Sequence, residues 1–245
     1  DGTTSELSIS GALEIADFAT FSLASNADAT LTQGRLRFSN GDAVSNNIIA
    51  GMGSRFVIRS DLKMRRILFV DQESLYGPDA LVEFTLESAT AVLNEGSRIV
   101  PPVSNACMIN FKNARVTSPG SQRNTHRGVR MNGQSDVHFE NSTFENGSTG
   151  VFSYNTTLNG SFVMQNCTLR NCDLGTLVYD NGFEFNDCWW HYCSNGLVAE
   201  GMTSSSMLEH CKATSNESGV FFQGSTGLRI HDPQFDQNTD GLIIS

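Results

Sequence analysis

The 245-residue chain contains no apolar stretch near the roughly 18–20 residues that a membrane-crossing helix needs, which excludes helical insertion. Positive charge is also scarce: 16 Lys and Arg stand against 26 Asp and Glu, for a formal net charge of −10. Nucleic-acid binding draws its affinity from clustered cations on phosphate, so this balance argues against a nucleic-acid partner. Among the six cysteines and five histidines there is no Cys-x-x-Cys pair and no zinc-module spacing. No basic segment followed by an apolar one opens the chain, as a secretory signal would require. The first residue is Asp1 rather than Met, so the chain reads as a processed or excised piece of something longer. No cofactor is implied.

Six glycines each open a short apolar run: Gly128-Val129, Gly150-Val151, Gly175-Thr176, Gly196-Leu197, Gly219-Val220 and Gly241-Leu242. Subtraction gives spacings of 22, 25, 21, 23 and 22 residues. A nearly constant period of this size marks a chain that stacks one structural unit on the last. Aligned on the glycines, other positions fall into columns. The apolar pairs Ile109/Phe111, Val137/Phe139, Phe162/Met164, Phe183/Phe185, Ser206/Leu208 and Leu228/Ile230 precede a small-residue series, Ala114, Ser142, Cys167, Cys188, Cys211 and Pro233. Two residues further on come Val116, Phe144, Leu169, Trp190, Ala213 and Phe235. Gly147, Cys172, Cys193, Asn216 and Asn238 stand three residues before successive glycines, where small polar side chains can hydrogen-bond a tight bend. Alternation with a period of two, between gaps rich in Asn, Asp, Ser and Gly, predicts two or three short strands per coil. Equivalent residues then stack about 4.8 Å apart as ladders.

These recurring apolar, Asn-rich turn and Gly positions resemble the repeat of right-handed parallel β-helices of the pectin-lyase-like class, from about Ile109 to Ser245. The resemblance implies an all-β, right-handed parallel β-helix with a period of about 22 residues. Leu13-Glu14-Ile15, Leu36-Arg37-Phe38, Phe56-Val57-Ile58 and Val82-Glu83-Phe84 repeat the strand rhythm more roughly, and Lys63 to Val70 fits it least. A single domain over 1–245 is expected, with irregular N-terminal coils or a cap over 1–100 and regular coils over 101–245. That makes roughly ten coils and a rod of about 45–50 Å. A separate N-terminal β domain of about 100 residues is the alternative. Gly241 to Ser245 begins a repeat and stops, so another chain or segment is expected to cap it.

Cys167, Cys188 and Cys211 occupy one ladder and Cys172 and Cys193 another, so they read as reduced side chains filling repeated slots rather than as a disulfide framework. Asn-x-Ser/Thr sequons at Asn141, Asn146, Asn155, Asn159, Asn166 and Asn216 lie mostly in turn columns and read as structural.

After each glycine, the first and third positions face the core. The position between them points outward, yet it reads Arg130, Phe152, Leu177, Val198, Phe221 and Ile243. An apolar strip on an outer face marks a contact surface, and Phe152, Leu177, Val198, Phe221 and Ile243 are the expected self-association residues, with coverage by the protein's own loop or N-terminal segment as the alternative. Resemblance to viral tailspikes and tail fibres implies a homotrimer. Trp189 and Tyr192 stand in otherwise polar columns, and Tyr154 and Tyr179 share another; such rings can stack on sugars, while subunit contact or ordinary ladder stacking explains the same residues. Val116 to Gly128 spans 12 residues where Phe144 to Gly150 spans 6, an insertion carrying Arg123, His126, Arg127 and Arg130 that could hold an acidic glycan.

Asn186-Asp187, Glu209-His210 and His231-Asp232 share one pair of columns on neighbouring coils. The alignment sets Glu209 beside His231, and His210 between Asp187 and Asp232, a candidate acid/base or cation-holding cluster. The Asn-Thr-Asp, double-Asp, Gly-His-Gly and Arg-Ile-Lys signature of polygalacturonase-like enzymes reads as absent, with only Arg229-Ile230-His231 faintly similar to its last member, and that of alginate epimerases reads as absent too. The expected function is a non-enzymatic spike or fibre of a virus, phage-like, at the virion surface or extracellular, contacting other virion proteins and presenting its face to host-surface polysaccharide. A polysaccharide hydrolase or lyase on the same fold is the alternative, and a capsid decoration or cement protein the third.

Overall fold

In the computed structural model every strand pairing is parallel, and among the described residues there is no helix. The structure describes the backbone of the strands between Ser5 and Val100, the side chain of Leu86, and most of 108–245; within that last span 119–126, 133–135, 155–160, 181, 203–204 and 225 lie outside the description. Each coil contributes three strands, as in Asp136–Glu140, Thr143–Glu145 and Thr149–Tyr154. They lie on three faces of a parallel β-solenoid, and each pairs with its counterpart in the next coil: Phe162–Gln165, Thr168–Arg170 and Leu174–Tyr179. On the third face the register runs Val129, Val151, Thr176, Leu197, Val220, Leu242, reproducing the glycine period one residue on.

Each coil turns at three corners, and the two that join its own three strands both use left-handed backbone. The bend between first and second faces places Asn113, Asn141, Asn166, Asp187, His210 and Asp232 at φ between 45° and 53°. The bend between second and third places Asn146, Asn171, Tyr192, Ser215 and Gln237 at φ between 52° and 63°. Asn and Asp tolerate this region because their short side chains bond locally, which explains the Asn-rich columns. The amides also link coil to coil: Asn166 Nδ2 donates to Asn141 Oδ1 at 2.7 Å, and Asn171 Nδ2 to Asn146 Oδ1 at 2.6 Å.

Small side chains just past each bend turn inward and satisfy the curved backbone. Ser142 Oγ donates toward the Phe111 and Glu140 carbonyls, and the Cys188 thiol toward those of Met164 and Asn186. Asn238 Nδ2 donates to the Ala213 carbonyl at 2.6 Å, and Asn216 Nδ2 to that of Trp190 at 3.2 Å. Asn216 is therefore a buried bend residue, whatever its sequon. Cys167, Cys172, Cys188, Cys193 and Cys211 are buried and free, and burial pushes the Cys188 thiol well above its ordinary value, keeping it protonated.

The first-face pairs form the core ladder. Phe111 meets Phe139 edge-on at 4.8 Å, Phe139 meets Phe162 at 5.9 Å, and Phe162 meets Phe185 at 4.9 Å. Such pairs add about 0.5–1.5 kcal/mol each beyond area burial. Trp190, wholly buried, donates its indole N–H to Thr176 Oγ1 at 2.9 Å, with the small Ala213 below it in the same column.

In the N-terminal half the repeated strand rhythm divides between two faces. Leu13 stacks on Leu36 as anticipated, but the next partner of Leu36 is Leu62, and Phe56 instead lies between Ala29 and Phe84. Phe56 therefore belongs to the first face and Leu36 to the second. Ser5–Ile15 and Ala27–Phe38 run through both faces without a break, which is why these two faces join in one sheet of 17 strands while the third forms a sheet of 10. The expected total of roughly ten coils rests partly on this half, whose side chains lie outside the described residues apart from Leu86.

Candidate functional site

The first bend brings together the five residues predicted to cluster. Glu209 pairs with His231 in register, with His231 Nδ1 3.9 Å from Glu209 Oε1. Asp232 Oδ2 stands 3.6 Å from His210 Nε2 and 3.6 Å from His231 Nδ1, while His210 Nδ1 faces Asp187 Oδ1 at 3.8 Å. The two imidazoles meet at a 66° angle with centroids 5.7 Å apart. At the edge of the solenoid Asp187, His210, His231 and Asp232 are exposed and Glu209 is half-buried. At that edge the groups can hold a cation or pair with one another.

The predicted sugar-stacking residues separate into two groups. Trp189 lies on the outer side of the second face and Tyr192 at the second bend, and His191 joins them. The Trp189 and His191 rings stack at 4.4 Å and 22°, and His191 and Tyr192 lie 3.9 Å apart. Trp189 Nε1 donates to Thr214 Oγ1 of the next coil at 2.8 Å, which fixes the indole while leaving it 38% exposed. Burial, and then the charge of neighbouring Arg170, lower the His191 pKa and favour a neutral ring for stacking. Sequence columns missed His191 because they were followed down the stack; residues two apart along one strand share a face too.

Tyr154 and Tyr179 belong to the third face, where they meet edge-on at 6.2 Å, and Tyr179 meets Phe152 at 6.0 Å. The Arg130 guanidinium lies 4.9 Å over the Phe152 ring. Beside it Arg127, Arg130, Ser148, Thr149 and Phe152 line a shallow cavity of about 210 Å³. Arg123 and His126 lie outside the described residues. The strip Phe152, Leu177, Val198, Phe221 and Ile243 forms one unbroken register on this face. It is half-buried rather than bare, and Val198 is only 8% exposed, because stacked neighbours cover one another.

A buried ion pair that sequence reading missed lies near the aromatic group. Glu145, 2% exposed, is bound by Arg115 and by Arg170, whose Nε reaches Glu145 Oε2 at 2.6 Å. Burial alone would raise its pKa, but hydrogen bonds from Arg115, Arg170 and Thr117 outweigh it and hold the carboxyl below its usual range. Its partners come from the coils above and below, so no local motif announces it.

The profile of the family described as right handed beta helix region matches residues 104–245, more than half of the chain. The chain belongs to the right-handed β-helix family. No curated protein and no solved structure matches it. The family also includes hydrolases. The reading of the polygalacturonase-like signature as absent is corrected at one point: its Asn-Thr-Asp fragment occurs in this right-handed β-helix as Asn238-Thr239-Asp240. Its Asn238 is committed to the bend, bonding the Ala213 carbonyl and accepting from the Asn216 backbone N–H at 2.8 Å. Asn238 thus serves the bend.

Proposed function

We propose that this right-handed β-helix is a non-enzymatic surface rod that binds glycans, in the manner of a viral or phage spike or fibre at the virion surface, and that it self-associates along its third face. The observation that carries the reading is the platform of Trp189, His191 and Tyr192. Core packing does not require it: Tyr192 is 55% exposed and Trp189 38%, and the equivalent positions in adjoining coils are polar or small, Thr168 and Lys212 for Trp189, Asn171 and Ser215 for Tyr192. A rigid, solvated aromatic surface suits the apolar face of a sugar ring, and a ring held in advance loses little entropy on binding. The cationic cavity at Arg127 and Arg130 supplies a second contact for an acidic glycan.

Binding of the intact chain to a panel of bacterial and eukaryotic polysaccharides tests this reading. Trp189→Ala is expected to weaken the best ligand at least tenfold, with the far-UV CD spectrum unchanged. Binding undiminished by that substitution refutes the platform as the glycan site. Oligosaccharide release by the wild-type chain, lost in Glu209→Gln, favours the hydrolase or lyase alternative.

A further inference from the structure

We infer that Glu209, His210 and His231 form a binding site for one divalent transition-metal ion of the zinc class, which clips two adjacent coils together at the first bend. The ligand atoms these three residues offer all lie within 4.8 Å of one another. A tetrahedral zinc shell with bonds near 2.0–2.1 Å sets its donor atoms about 3.3 Å apart, so exposed side chains close the gap by small rotations about their χ angles. Within the trio His231 Nδ1 lies 3.9 Å from Glu209 Oε1, and the flanking Asp187 and Asp232 carboxylates stand 3.6 to 3.8 Å from the imidazoles, so these atoms face one another without hydrogen-bonding. That is room for an ion between them.

The arrangement also has an outer layer. His210 directs Nε2 toward Asp232 and Nδ1 toward Asp187, so one ring nitrogen turns to the centre while a carboxylate faces the other. A carboxylate behind a histidine ligand orients the ring and strengthens it as a donor. Asp232 Oδ2 stands 3.6 Å from a nitrogen of each imidazole and adds negative charge beside the trio. Two imidazoles with carboxylates select a borderline cation such as Zn²⁺ over Ca²⁺, which takes six to eight oxygens. His210 also occupies a left-handed bend position, φ 51°, where the equivalent residues are Asn113, Asn141, Asn166, Asp187 and Asp232. The bend itself is served at least as well by Asn, so the imidazole calls for another explanation. The inference stands apart from the glycan reading, since the aromatic platform lies on the second face and second bend.

Titration of the intact chain with zinc chloride in a non-chelating buffer, followed by calorimetry and by the thermal midpoint, tests the site. One ion per chain is expected, with a micromolar Kd and a zinc-dependent rise in Tm. His210→Asn keeps a residue suited to the bend, and Glu209→Gln is nearly isosteric; each is expected to weaken zinc at least tenfold while leaving the metal-free Tm unchanged. His138→Asn, on the exposed side of the first face, is expected to bind zinc normally. No saturable zinc binding, equal affinity in His210→Asn and wild type, or displacement of zinc by equimolar Ca²⁺ overturns the proposal.

Discussion

Tyr192 holds φ 55° at a bend where other coils place Asn146, Asn171, Ser215 or Gln237. A bulky aromatic in left-handed backbone is an uncommon and costly choice, and burial does not compensate it, since more than half of the ring is in solvent. Strain of this kind, kept at an exposed position, is where stability is traded for function. Tyr192→Asn is accordingly expected to raise unfolding stability by about 0.5–1 kcal/mol, measured from the urea midpoint, while weakening glycan binding severalfold. Stability and binding falling together would assign the ring a packing role instead.

At the level of the element, the glycine column is explained by close approach more than by dihedral freedom. Of the six, only Gly128 has positive φ. A Cβ added at Gly150, Gly175, Gly196 or Gly219 would come under 3.0 Å from the carbonyl of the next glycine in the stack, so each coil seats its glycine against the one that follows. At Gly196 the methyl group would also meet Trp190 Cβ at 3.0 Å. Gly196→Ala is therefore expected to destabilise by about 3 kcal/mol, near the upper end for overpacking, because the clash is with backbone that cannot rotate away. An unchanged urea midpoint would contradict the close packing of coils. This column made the fold legible from sequence: one steric need, repeated once per coil, fixes the register on which Cys188, Asn216 and Phe185 fall into ladders. The same logic placed Glu209, His210 and His231 side by side. It failed at Leu36 and Phe56, because first and second faces share the same apolar alternation and the strands there run on without the Asn that punctuates later bends. It also failed at Glu145, whose burial depends on Arg115 and Arg170 arriving from other coils.

For the whole molecule, the third face decides whether the rod stands alone. Its outer side carries two parallel columns: Phe152, Leu177, Val198, Phe221 and Ile243, and beside them Tyr154, Tyr179, Glu200 and Gln223. Stacking half-covers the apolar column from above and below, but a neighbour in the same column cannot cover the outward side of a ring or an isobutyl group. Five coils at the strand spacing extend this seam over about 20 Å, and a second copy placed against it would bury every level at once. The adjoining Tyr179, whose ionisation is suppressed by burial and by Glu200, gives the seam a polar border that fixes register. Sedimentation of the intact chain at tens of micromolar is expected to show a trimer. Leu177→Asp combined with Phe221→Asp places carboxylates two coils apart on the seam and points no charge into the core, so it is expected to give a folded monomer with the wild-type CD spectrum. A wild-type chain that sediments as a monomer would show that ladder stacking alone suffices to cover the seam, whereas Trp189→Ala, on a different face, should leave the assembly intact.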